Sequence, residues 1–367
     1  MTDSLSQHAI APAQVLRGEG AWQQGLPRLA AQYSRPLLLG RSAATAPLRQ
    51  RLAADLHAAG LAVTLAALQH DCCEEDLTPL QARVSGGDHD AVVAVGGGKV
   101  LDAGKLLAHR LGLPCITVPS SAASCAGWTA LSNLYSPEGA FRGDVALPRC
   151  PDLLIFDHAI VRAAPPRTLC SGIADAMAKW YEASVSSGAS ADGLIQQAVQ
   201  MARVLRDQLL LDAAAALDDP DSPAWVRVAE ACALTAGVIG GLGGARCRTV
   251  AAHAVHNGLT QLPQAHGWLH GEKVGFGILV QLRLEETLGG NRLAAQARHQ
   301  LLPVFRRLRI PTSLEELGLG SCSLQELQAV CRFACQDGSD LHHLPFPVQS
   351  SELFSALVSA SAERQPA

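Results

Sequence analysis

AVVAVGGGKVLDAGK (91–105) sets three glycines directly after an apolar, β-branched run and at the mouth of an Ala/Leu-rich helical stretch. A tight turn of this kind leaves backbone N–H groups and a helix N-terminus free, and together these can bind a pyrophosphate. Gly97, Gly98 and Asp102 are the candidate cofactor contacts on this reading. The string is not GxGxxG, and a bare GGG serves a plain strand-to-helix turn as readily as a phosphate cradle. Asp102 and Lys105 tilt the balance towards function, although they also make an ordinary solvated i,i+3 pair.

Outward from this turn, short apolar runs alternate with helical stretches over the first 160 residues, the signature of a parallel α/β sheet. The runs read as strands are PLLLG (36–40), LAVTLAAL (61–68), AVVAVGG (91–97), CITVP (115–119) and LLIFD (153–157). AATAPLRQRLAADLHAAG and KVLDAGKLLAHRLG read as crossover helices, each ending near a glycine stop. LSNLYSPEGAFRGDVALP reads as a hairpin punctuated by Pro137-Glu138-Gly139. From about residue 160 the pattern turns to long Ala/Leu/Gln-rich stretches, such as ADAMAKWYEASVSS and WVRVAEACALTAGVIGGLG. The expectation is a Rossmann-like dinucleotide-binding domain over 1–160 and an all-helical domain over 161–367. The Asp/Pro/Ser stretch at 218–223 reads as a loop between helices.

With 367 residues, 48% hydrophobic and 17% charged, and a net charge of −4, the composition is globular and carries no basic footprint for nucleic acid. MTDSLSQHAIAPAQ lacks a positive segment followed by an apolar run, and nowhere do 18 consecutive apolar residues occur. A cytoplasmic protein with no membrane partner is expected, acting on a small molecule and assembling as a homo-oligomer. Its eleven cysteines are scattered and never spaced CxxC, which argues against both a disulfide framework and a cysteine-zinc site.

The stretch VAAHAVHNGLTQLPQAHGWLHGEKVGFG carries four of the chain's 13 histidines. His253 and His256 stand at i,i+3 on one helix face, and His270 opens another segment after a loop. A divalent metal suits neutral imidazoles plus a carboxylate, with one coordination position left open. Spacing alone does not choose the carboxylate, although Asp175 is the one acid in the apolar run SGIADAMAKW.

GGGKVLDAGK, the VPSSAAS turn, GIADAMAKWYEA and AAHAVHNG followed by HGEKV, in this order, resemble the glycerol dehydrogenase branch of the iron-containing alcohol dehydrogenase superfamily over essentially the whole chain. The resemblance implies a dinucleotide-binding α/β domain, a helical domain and a metal in the cleft between them. By motif position it implies metal ligands at Asp175, His253 and His270, with zinc favoured over iron. It implies cofactor contacts at Gly98, Lys99, Ser120, Ala123, Thr129, Leu131 and Tyr135. Where glycerol enzymes of this branch carry a polyol-binding aspartate, this chain has Cys125, and SCAGWTALS looks instead like a hydroxycarboxylate dehydrogenase sub-branch.

The expected reaction is therefore NAD(P)-linked exchange of a small 2-oxo acid and its 2-hydroxy acid, with glycerol oxidation to dihydroxyacetone as the alternative. A dehydroquinate synthase-like cyclase is a weaker alternative, since the helical half shows no basic set for a substrate phosphate. Arg248, five residues before His253, is the candidate anchor for the carboxylate. His256 is the candidate proton relay. The first strand ends in Gly40-Arg41-Ser42 with no acid to accept from a ribose 2′-OH, so Arg41 is a candidate contact for a 2′-phosphate and the cofactor is NADP or NAD.

Overall fold

The computed structural model describes residues 7–361; the first six residues of the N-terminal stretch read for a leader lie outside them. Its strands are β1 (Val15–Gly18), β2 (Pro36–Gly40), β3 (Thr64–Ala67), β4 (Ala91–Gly96), β5 (Cys115–Pro119), β6 (Leu131–Tyr135), β7 (Phe141–Ala146) and β8 (Leu153–Asp157). Six of them form one sheet in the order β1-β8-β5-β4-β2-β3, with every pairing parallel. β6 and β7 make the expected antiparallel hairpin, its turn closed by Ser136 and Gly139.

The central strands read as unbroken apolar runs because both faces are covered. Leu38, Val93, Val95 and Ile155 pack on one side against Trp22 and Leu29 of α1 (Ala21–Gln32) and Leu52 and Leu56 of α2 (Ala46–Ala58). Leu37 and Leu39 point the other way, to Leu77 of α3 (Glu74–Val84) and Leu107 of α4 (Gly98–Leu111). The two-residue alternation of a strand divides the layers. β1 is the strand the sequence did not suggest: VLRG has four residues, no clear period, and a partner only in β8.

After β8 and the short α5 (His158–Arg162) the structure is helical: α6 (Pro166–Ser187), α7 (Gly193–Asp218), α8 (Pro223–Glu230), α9 (Ala236–Gly243), α10 (Ala251–Leu259), α11 (His270–Thr287), α12 (Ala294–Arg307), α13 (Leu324–Ala334) and α14 (Ser350–Ser361). Residues 219–222 are the inter-helix loop that was expected. α6, α10 and α11 pack together at the centre. The largest apolar cluster joins Leu154 and Phe156 of β8 to Ile173, Val255 and Phe276, so sheet and helices are fastened by shared packing. α8 and α9 are joined by a π-turn at Ala231–Thr235. The combined stretch Pro223–Gly243 is long and apolar enough to cross a membrane by length and composition, yet 61% of its apolar window is buried within the protein. Trp225, Val228 and Ile239 belong to the main core, which makes it a core helix.

Candidate active site

A cleft of about 720 Å³ follows the carboxyl ends of β2, β4 and β5, where open parallel sheets place their ligands. The glycine turn lies in its wall. α4 starts at Gly98 with Gly97 as N-cap and no side-chain cap, so its first N–H groups are left for an anion. Ser120 and Ala123 line the cleft after β5, Arg41 and Ser42 line it after β2, and His270 lines its other end. A smaller inner cavity of about 120 Å³ adjoins it; Gly98, Lys99, Ser124 and His270 line both.

The expected cofactor contacts divide between these spaces. Gly97, Gly98, Lys99, Ser120, Ala123 and Arg41 border the cleft, whereas Asp102, Thr129, Leu131 and Tyr135 border the inner cavity. One expectation needs correction. Asp102 is neither solvated nor at the cleft: it is buried in an ion pair with Lys105 at 2.9 Å, and burial raises its carboxyl above the ordinary value. The Lys105 ammonium also donates to the Thr129 carbonyl (3.1 Å), the Thr129 hydroxyl (3.2 Å) and the Leu131 carbonyl, so the pair fastens the loop leading into β6. Arg41, expected to contact a 2′-phosphate, borders the cleft but is paired there with Asp71, which also takes the ammonium of Lys99.

Asp175 on α6, His253 on α10 and His270 at the start of α11 come together beside the inner cavity. One ligand atom from each lies within 4.8 Å of the others. His253 Nε2 and His270 Nε2 stand 3.3 and 3.4 Å from Asp175 Oδ1. That oxygen is buried and has no hydrogen-bond partner, a costly state for a carboxylate that a cation would relieve. Two imidazoles and a carboxylate are a donor set for zinc or iron, so these residues fit a divalent metal. Burial pushes the Asp175 carboxyl up, but the Lys179 ammonium and the imidazoles outweigh it and hold the group ionised, well below the usual range. The approach of α11 depends on Gly271, whose Cβ would fall 1.8 Å from the Ser171 carbonyl oxygen; its N–H donates to Ser171 Oγ at 3.0 Å.

Glu182 is the supporting residue the sequence reading missed. Fully buried on α6, it accepts His253 Nδ1 at 2.7 Å through Oε2, while Oε1 accepts the N–H groups of Val250 (2.7 Å) and His253 (3.0 Å) at the head of α10. With Nδ1 held by Glu182, Nε2 is the nitrogen turned to Asp175 and left for a metal. Burial alone would lower the His253 pKa, but Glu182 lifts it to about 9. Asp175, Lys179 and Glu182 recur at i, i+4 and i+7 on one face of α6, a charged stripe in an apolar helix that was there to be read. Glu182→Gln is expected to weaken metal binding roughly 10–100-fold, the usual cost of a lost supporting carboxylate; metal titration of the apoprotein measures it, and unchanged affinity refutes the role.

His256, the candidate proton relay, is buried and bonded through both ring nitrogens. Its Nδ1 bonds Asn257 Oδ1 at 2.9 Å and its Nε2 bonds His270 Nδ1 at 3.0 Å, so both nitrogens are engaged and the ring orients His270. Cys125 and Arg248 both line the inner cavity with the three-ligand cluster. Arg248 Nε is buried without a partner. Lys179, also missed, is 3% exposed on the same wall, with its ammonium 3.2 Å from the Arg248 carbonyl and 3.9 Å from Asp175 Oδ1. His70, Cys73 and Asp76 also bring ligand-type atoms within 4.8 Å. There, however, Asp76 already accepts from the Gln69 and His70 N–H groups and His70 Nδ1, as a turn at the head of α3 requires.

Residues 12–158 match the family pattern described as iron-containing alcohol dehydrogenase. An uncharacterized oxidoreductase of Synechocystis is 52% identical across 100% of this chain and 94% of its own length. Hydroxycarboxylate dehydrogenase A of Escherichia coli is 37% identical over 78% of each chain. The crystal structure of a probable glycerol dehydrogenase from Sinorhizobium meliloti superposes with a TM-score of 0.85 at 27% identity, covering 98% of this chain and 99% of that one. The chain thus belongs to the iron-containing alcohol dehydrogenase family, in its glycerol dehydrogenase-like branch, and is an NAD-dependent oxidoreductase of the alcohol dehydrogenase type.

Proposed function

We propose that this enzyme interconverts a small 2-oxo acid and its 2-hydroxy acid, using NAD(P)(H) in the large cleft and one divalent metal, zinc before iron, at Asp175, His253 and His270. The observation that carries the substrate is Arg248, a guanidinium with a buried, unpartnered Nε on the wall of the inner cavity. Beside it lie Lys179, a buried cation, and Cys125, an uncharged residue where glycerol enzymes of the branch are expected to place an acid. Once Asp175 is committed to a metal, Lys179 loses that carboxylate as its partner. Asp144 and Asp340 also line the wall, the latter 3.7 Å from His343. A half-buried guanidinium with its Nε shut off from water favours a carboxylate partner. The similarity to hydroxycarboxylate dehydrogenase A supports the same reading.

In the reaction, the metal supplies polarisation of the substrate oxygen and the nicotinamide supplies or receives the hydride. The chain's own residues do the positioning. Glu182 and His256 fix the tautomers and planes of His253 and His270. Arg248 holds the substrate carboxylate so that the adjacent carbonyl presents to the region where cleft and inner cavity meet. Lys179 adds a positive charge to that wall, its pKa raised by Asp175 against the effect of burial. A volume of about 120 Å³ favours a short acid over a long one.

The test is NADH and NADPH oxidation with 2-oxobutyrate, 2-oxoglutarate, dihydroxyacetone and simple aldehydes, with zinc, manganese or iron added. 2-Oxobutyrate is expected to give the highest kcat/KM. Dihydroxyacetone as the best substrate by a wide margin would overturn the assignment in favour of a glycerol dehydrogenase.

A further inference from the structure

We propose that Asp71 sets which nicotinamide dinucleotide the cleft prefers, by holding Arg41 back from a 2′-phosphate. This rests on the reading of the large cleft as the NAD(P) site. At the end beside β2, the cleft is bordered by Arg41, Ser42, Thr45 and Arg51, two guanidiniums and two hydroxyls. Such a set suits a phosphomonoester. The loop carrying the hydroxyls is held in shape from behind by Arg49, which donates to the Ser42 carbonyl at 2.9 Å and to Thr45 Oγ1 at 2.7 Å.

Asp71, on the loop after β3, offsets this charge. One of its oxygens takes Arg41 Nη1 and the other takes Lys99 Nζ. Lys99 belongs to the glycine turn, and its ammonium also lies 4.6 Å from the centre of the Tyr135 ring. Asp71 is only 7% exposed and does not itself border the cleft, so it contributes a fixed negative charge behind two cations that do. A single carboxylate therefore couples the β2 end of the cleft to the turn expected to carry the pyrophosphate. Both dinucleotides compete with Asp71 for Lys99, but only a 2′-phosphate competes for Arg41. Neutralising Asp71 should aid both cofactors through Lys99 and aid NADPH further through Arg41, and the ratio of the two affinities isolates the second effect.

The experiment measures dissociation constants of NADH and NADPH by the change in nicotinamide fluorescence, without substrate, in wild type, Asp71→Asn, Arg41→Gln and the double variant. Asp71→Asn is expected to raise the ratio Kd(NADH)/Kd(NADPH) by roughly two- to fivefold, the strength of a partly exposed charge pair. Arg41→Gln is expected to lower that ratio, and in its presence Asp71→Asn should no longer move it, because the two substitutions act through one contact. Equal shifts for both dinucleotides in Asp71→Asn overturn the proposal. Should Asp71→Asn fail to fold, an unchanged ratio in Arg41→Gln alone, a variant at a half-exposed side chain, overturns it too. If neither dinucleotide binds the wild type, the reading of the cleft fails and this proposal falls with it.

Discussion

Replacing His270 with alanine is expected to strip the metal and to lower kcat/KM on the order of a thousandfold. Polarisation of the reacting oxygen is worth several kcal/mol, and each ~1.4 kcal/mol is a factor of ten in rate. The variant removes one of three ligand atoms that lie within 4.8 Å of one another and leaves His256 Nε2 without the imidazole it now bonds. Because His270 sits at the first position of α11, where no side-chain cap depends on it, the helix itself should persist. The measurement is metal content by elemental analysis alongside turnover, with circular dichroism to confirm folding. Full metal occupancy in a folded His270→Ala protein would remove His270 from the ligand set. An apoprotein that regained activity only at much higher added zinc would confirm a weakened site.

The parts of this centre that could be read beforehand were those with a local signature. PLLLG, AVVAVG, CITVP and LLIFD announce themselves because strands covered on both faces are almost wholly apolar, Thr117 and the terminal Asp157 excepted, and the glycine turn sits at the end of the third strand in the sequence-based reading. β1 escaped because four residues on an edge leave too short a pattern. The histidines stood out by number, but their true neighbours were set by tertiary packing. His256 shares a face with His253 by periodicity, yet its bond is to His270, 14 residues on and across a loop. Asp175 could be singled out only through the resemblance, since nothing in its spacing to His253 marks it. Asp71 lies 30 residues from Arg41 and 28 from Lys99 and joins them through a loop, so no period predicts that contact. Asp102 and Lys105 show the converse, an i,i+3 pair that is equally plausible on a wet face or in a core until packing decides.

Replacing Arg248 with methionine is expected to raise the KM for a 2-oxo acid about 100-fold while changing that for dihydroxyacetone far less. A charge-assisted bond to a carboxylate is worth roughly 1.5–3 kcal/mol, and a desolvated pair more. Methionine keeps much of the unbranched stem, which passes so close to α9 that a Cβ at Gly240 would lie 2.7 Å from its Cγ and Cδ. The Lys179 ammonium bonds the backbone carbonyl of residue 248, so that support survives the substitution. Arg248→Lys separates charge from geometry: it restores a positive charge but not a planar fork, and its KM should fall between the other two. The discriminating quantity is the ratio of kcat/KM for 2-oxobutyrate to that for dihydroxyacetone, because a general disturbance of the pocket would depress both substrates together. A fall in that ratio of about two orders of magnitude places the carboxylate on Arg248. An unchanged ratio would leave Lys179, a buried cation on the same wall, as the anchor, and Lys179→Met would then have to produce the same discrimination for the 2-oxo acid assignment to stand.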